Sequence, residues 1–227
     1  MITSPDNERL RLVRKLAERR WRDKLGLFVC EGEDLVAAAT APPVDLLVAG
    51  EDVAPALLAA LSSAAHPPRV LGVYRRADLP AVAARPATLA LWQVADPGNV
   101  GTLIRTADAF GAGVALSERC ADPTSAKALR ASAGAVWRVP LRLGVDASAW
   151  PPGGARRVAL VAAGGTPLGE LDLSGDVVFW LGAERRGLPA QLERDLDATI
   201  PLRGAESLNV AAAGAIALYE WARQNPR

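Results

Sequence analysis

The chain has 227 residues, half of them apolar, with 26 Lys or Arg against 25 Asp or Glu, one histidine and two cysteines. That is enough apolar material for a large core in one large domain or two small ones, and the net charge of +1 draws the whole molecule neither toward nor away from nucleic acid. With His66 alone, a histidine-based triad and a His-rich zinc site are excluded, so any chemistry falls to Arg, Asn, Ser, Glu or a cofactor. Cys30 and Cys120 lie far apart without CxxC spacing and read as structural thiols. The longest apolar run, 210–218, falls far short of the roughly 20 residues of a membrane helix, and the charged start has no secretory core, so a cytoplasmic protein without metal is expected.

Between residues 9 and 24, eight of sixteen residues are Lys or Arg, while Leu10, Val13, Leu16 and Ala17 recur at helical spacing. This predicts one amphipathic helix whose basic face is either solvated or held against RNA phosphates. Trp21 and Phe28 nearby could stack on bases or pack into the core. A short helix over 34–40, a strand over 44–49, a helix over 53–63 and a strand over 69–74 follow, and the proline-bracketed stretch 77–86 reads as a crossing between domains. The pattern then restarts, with strands over 88–94, 113–116, 136–141, 158–163, 177–181 and 198–202. Helices are predicted over 99–110, 123–131, 188–196 and 207–223. Near-continuous apolar strands separated by helices predict an α/β fold with a mostly parallel sheet covered on both faces, whose ligands bind at the strand carboxyl ends.

Three loops after strands carry polar residues, and none is a P-loop or a GxGxxG turn. In the first, 96–107 (DPGNVGTLIRTA), Asn99 is placed to cap the next helix. Arg105 stands among apolar and small residues, either paired with Asp108 or presented to a phosphate or polar substrate group. The second, 182–187, is a GxExxG turn with Glu184 between its glycines. In the third, Ser207 and Asn209 open the final helix and could merely cap it. That helix is apolar on every face and needs a cover.

Asn-x5-Arg, GxExxG and Ser-Leu-Asn-Val, each after a strand and in this order, resemble the three motifs of the SpoU/TrmH family of RNA ribose 2′-O-methyltransferases, in the SPOUT class. The likeness spans about 89–219, and residues 22–33 are similar to the small substrate-binding domain that precedes the catalytic domain in ribosomal RNA members. The resemblance implies an RNA-binding domain at 1–80, a linker at 81–87 and, at 88–227, a SPOUT-type α/β domain with a C-terminal trefoil knot. It implies S-adenosylmethionine held by Leu181, Gly182, Ile200, Pro201 and Leu208, and a catalytic set of Arg105, Asn99, Glu184, Ser207 and Asn209. It also implies a homodimer in which Arg105 reaches the partner's cofactor. The segment 127–135 is similar to the ribosomal RNA branch. Transfer RNA as substrate, or a catalytically idle RNA-binding protein, are the alternatives. Arg185 stands where relatives often carry Gly, and Ala211 and Ala212 replace small polar residues; neither change removes a principal residue.

Overall fold

A computed structural model describes residues 1–62, 64, 66–80, 85–146, 154–183 and 186–226. The basic stretch near the start forms two helices, α1 (Glu8–Leu16) and α2 (Arg19–Leu25), where one was expected. The break has a physical cause. Arg22 is buried, and its guanidinium donates to the carbonyls of Leu16 and Ala17, both at 2.8 Å, closing the end of α1 from the side. Its Nε donates to Asp122 at 2.7 Å, so this arginine is committed to the interior.

The strands β1 (Leu27–Glu31), β2 (Asp45–Val48) and β3 (Val70–Arg75) make an antiparallel sheet in the order β1-β3-β2, with short helices α3 (Glu33–Ala37) and α4 (Pro55–Ala59) in its connections. Alternation along β1 serves both faces. Phe28 and Cys30 turn toward the larger half of the molecule, while Leu27 and Val29 join Leu10, Val13, Leu58 and Leu71 beneath the helices. Phe28 meets Tyr74 and Trp137 in one aromatic cluster, with ring centroids 4.9 to 6.0 Å apart, so Phe28 is core and does not stack on bases. Burial pushes the Cys30 thiol up to about 12, which leaves it inert, and both cysteines are free.

The larger half holds β4 (Ala87–Leu91), α5 (Pro97–Phe110), β5 (Gly113–Ser117), α6 (Ala126–Ser132), β6 (Leu141–Val145), β7 (Arg156–Leu160), β8 (Thr166–Pro167), β9 (Val177–Leu181), β10 (Leu196–Thr199) and α7 (Val210–Gln224). Its strands run parallel in the order β6-β5-β4-β9-β7-β10-β8. Apolar side chains fill both faces of this sheet, as the unbroken burial of β5 and β9 requires. Helices α5 and α6 approach so closely that a Cβ on Gly101 would lie 2.3 Å from the Ala128 carbonyl oxygen.

Two predicted elements are absent. Residues 136–141 were expected as a strand, but Ala133 and Gly134 are both left-handed, and the chain turns through a 3-10 segment that buries Trp137. Residues 188–196 were expected as a helix, but Arg157 takes up its acids: the guanidinium donates to Glu193 and Asp195, each at 2.9 Å, and Asp195 accepts from the Arg157 amide. That pairing holds the segment beside β7 and leads it into β10. The final helix begins at Val210, three residues later than predicted.

Candidate active site

A cavity of about 510 Å³ opens at the carboxyl ends of β7, β9 and β10, lined by the loops that leave those strands and by the start of α7. Leu181, Gly182, Ile200 and Leu208, expected to hold a cofactor, line it together with Ser207 and Asn209. Pro201, also expected there, is not part of the wall. The lining carries no ionised side chain among the described residues, so a ligand here would meet apolar side chains and backbone amides.

The loop after β9 is built for backbone contact. The Gly187 amide donates to the Ala183 carbonyl at 2.8 Å, and Gly187 has φ +63°. A Cβ on Gly182 would fall 2.4 Å from the Gly187 carbonyl carbon, so the turn closes onto itself only with glycine there. Glu184 and Arg185 lie outside the described residues.

The first and last loops meet. Asn209 caps α7: its Oδ1 accepts from the amides of Ala211 at 2.8 Å and Ala212 at 3.3 Å, while its Nδ2 donates to Asn99 Oδ1 at 3.1 Å. Neither Ser207 nor Asn99 is a cap, contrary to one sequence reading of each. The cap of α5 is Asp96, which accepts from the Asn99 amide at 3.0 Å. Lys127, donating at 2.6 Å, and that amide hold the Asp96 carboxyl below its usual range.

Of the two readings of Arg105, pairing with Asp108 is not met: Arg105 lies on the exposed side of α5, and among the described residues it makes no hydrogen bond or ion pair. Asp108 pairs with Arg138 at 2.7 Å, which removes the helical partner that sequence spacing offered. On α5 the exposed residues are Thr102, Arg105 and Ala109, a stripe at helical spacing that leads away from Asn99. The adjacent α7, whose Gly214 would place a Cβ 2.4 Å from Leu103, exposes Ala212, Ile216 and Tyr219.

The profile of the SpoU rRNA Methylase family matches residues 86–219. The chain belongs to that family. A Bacillus subtilis (strain 168) 23S rRNA (guanosine(2553)-2′-O)-methyltransferase is 31% identical over 242 residues, covering 96% of this chain and 97% of that one. The AdoMet-bound rRNA methyltransferase from Sinorhizobium meliloti superposes with a TM-score of 0.88 at 30% identity, over 98% of this chain and 97% of that one. An uncharacterized tRNA/rRNA methyltransferase of Mycobacterium sp. (strain KMS) is 38% identical over 168 residues, 70% of this chain. The chain spans about half the length of that relative and of its mycobacterial kin, at 52%. The SpoU/TrmH assignment made from three motifs therefore stands, and with it the SPOUT-type α/β fold. The meeting of Asn99 with Asn209 is a relationship that sequence order suggested but spacing alone does not supply, since 110 residues separate them.

Proposed function

We propose that this protein transfers a methyl group from S-adenosylmethionine to a ribose 2′-hydroxyl of ribosomal RNA. One observation carries the reading: an apolar, glycine-lined cavity at the strand carboxyl ends whose rim is a hydrogen-bonded pair from the first and last motifs, Asn99 and Asn209. The cavity fits the cofactor. It is large enough for a drug-sized ligand, and the close-backed turn at Gly182 would let main-chain groups approach the cofactor among the apolar side chains of the wall. Leu181, Gly182, Ile200 and Leu208 would hold it. The cofactor's sulfonium methyl is already electrophilic, so the protein's task is to orient the hydroxyl and ease loss of its proton.

Asn99, Ser207 and Asn209, all partly or fully exposed at the rim, present hydrogen-bonding groups to an incoming nucleotide. We assign Glu184 to the same set from its motif. Arg105 has a guanidinium whose pKa above about 12 makes it an orienting and charge-stabilising group more than a base.

A homodimer gives Arg105 a place to act. Its stripe on α5 runs beside the exposed apolar face of α7, where Ile216 is 37% and Tyr219 60% exposed. Docking two such faces would cover the apolar helix and bring Arg105 toward the partner's cavity. We further propose a trefoil knot, supported by strand order: β9 lies between the earlier β4 and β7, and β10 between β7 and β8.

Residues 1–80 are proposed as the RNA-docking unit, joined by 81–87 to the catalytic unit at 88–227. Residues 81–84 lie outside the described residues. On α1 and α2, Lys15, Arg20 and Lys24 surround the half-buried Trp21 at 5.1 to 5.6 Å, which concentrates positive charge on one exposed spot. The sequence alternatives are transfer RNA as substrate and an idle RNA binder. Among the described residues no helix is long and apolar enough to cross a membrane.

The test is calorimetry with S-adenosylmethionine followed by transfer of labelled methyl to ribosomal RNA from cells lacking the gene. A 2′-O-methylated nucleoside after nuclease digestion is expected. Cofactor binding without transfer to ribosomal or transfer RNA would overturn the enzyme reading.

A further inference from the structure

On the same edge of the large sheet, beyond β4 from the cofactor cavity, lies a second cavity of about 430 Å³ at the carboxyl ends of β4, β5 and β6. Its wall includes Trp92, Gln93, Glu118, Arg119 and Asp146, each within two residues after a strand end. The loop from β4 that contributes Trp92 and Gln93 to this cavity leads into α5, whose first turn carries Asn99 on the rim of the other. One connection thus borders both.

Two residues here adopt a backbone shape that side chains disfavour. Gln93 has φ +53° and Arg119 φ +65°, and neither is glycine. Both turns lean on Ser117, which is buried: its hydroxyl accepts from the Gln93 amide at 3.0 Å and donates to the Glu118 carbonyl at 3.1 Å. A glycine at either place would relax the backbone, so local folding does not explain why Gln and Arg stand there. Their side chains are what the strain retains.

We propose that this cavity receives an unstacked nucleobase of the RNA, next to the strand that enters the methyl-transfer site. The side chains suit that occupant. Trp92 offers an aromatic face for stacking, the Gln93 amide both donates and accepts, the carboxylates of Glu118 and Asp146 accept from base N–H groups, and exposed Arg119 meets the phosphate. Its volume suits a single nucleotide. The proposal rests on the RNA reading above and adds a site to it.

The test uses full-length protein labelled with fluorotryptophan, whose six tryptophans give six fluorine resonances, with that of Trp92 assigned by Trp92→Phe. A single-stranded RNA of mixed sequence, and at higher concentration nucleoside 5′-monophosphates, are expected to shift the Trp92 resonance. Gln93→Gly and Arg119→Gly should melt no lower than the parent yet weaken that RNA interaction roughly ten-fold or more. Their affinity for S-adenosylmethionine should not change. A Trp92 resonance unmoved by RNA, an equal shift from inorganic phosphate alone, or glycine variants that bind RNA as the parent does would each overturn the proposal. Failure of the methyltransferase reading would instead show as absent cofactor binding or absent methyl transfer in the parent, neither of which the RNA-induced Trp92 shift reports.

Discussion

Asn209 holds two structures at once: its Oδ1 starts the last helix, and its Nδ2 donates to Asn99 Oδ1 at 3.1 Å, tying the third motif to the first. Asn209→Ala removes both functions. Loss of the cap should cost about 1 kcal/mol and lower the melting temperature by roughly 2–4 °C, while Asn99→Ala, at a half-exposed position, should leave it nearly unchanged. If the pair acts as a unit, transfer rates of the single and double variants will not multiply. Independent effects in that cycle would show that the contact has no part in positioning the hydroxyl.

Arg105 separates binding from chemistry. Exposed and without an ion pair among the described residues, it contributes little to folding, so Arg105→Ala should keep the melting temperature within a degree or two and retain cofactor affinity. Methyl transfer should fall by about 10² or more, the scale of a lost charge-stabilising donor. Near-normal turnover would remove Arg105 from the site.

Gly182 tests the turn beside the proposed cofactor cavity. The added methyl of Gly182→Ala meets Gly187 and Leu188 backbone at 2.4 to 2.6 Å, and backbone cannot swing aside as a side chain can. A loss of about 1–3 kcal/mol is expected, with cofactor binding weakened beyond detection in calorimetry. Unchanged binding would place the ligand elsewhere.

Periodicity and apolar runs made the parallel sheet legible, because a strand such as β9, buried at all five positions, has no polar side to disguise it. The same signals misled where side chains from elsewhere decide the backbone. Arg157 draws the 188–196 segment out of a helix through partners distant in sequence, and Arg22 splits the basic helix by turning back on the Leu16 and Ala17 carbonyls while Asp122, distant in sequence, holds it in the interior. Leu181, Gly182, Ser207 and Asn209 come together at one cavity, yet Ser207 and Asn209 each looked like an ordinary helix-start residue alone. Gln93 and Arg119 left no local signal, since a positive φ at a non-glycine residue is invisible in sequence.

The proposed dimer depends on the outward face of α7. Ile216→Asp should leave the fold intact, since the side chain is already 37% exposed, but bury an unpaired charge if two such faces dock. Sedimentation should then show a shift from dimer toward monomer, accompanied by loss of methyl transfer if Arg105 serves the partner's cavity. A parent protein that sediments as a monomer while active would refute the arrangement.

Asp122 links the two halves of the molecule. Its carboxylate accepts from Arg22 at 2.7 Å and Arg76 at 2.6 Å, and the side chains of Asp122 and Arg22 are each only 6% exposed. Burial pushes the Asp122 carboxyl up, but the Thr124 hydroxyl and the two guanidinium groups pull harder, leaving it below the ordinary carboxylate value. Asp122→Asn leaves Arg22 in the interior without a counter-charge, while Arg76 keeps Asp23 at 2.6 Å, and should cost about 3–5 kcal/mol near neutral pH. A depressed folded-state pKa stabilises the protein above the unfolded value of about 3.9 and ceases to do so as pH falls through the folded one. The stability gap between parent and variant in urea titrations should therefore be full at neutral pH and narrow on acidification below about pH 4. A gap that stayed constant into acid would mean that the carboxylate's charge is not what joins the halves.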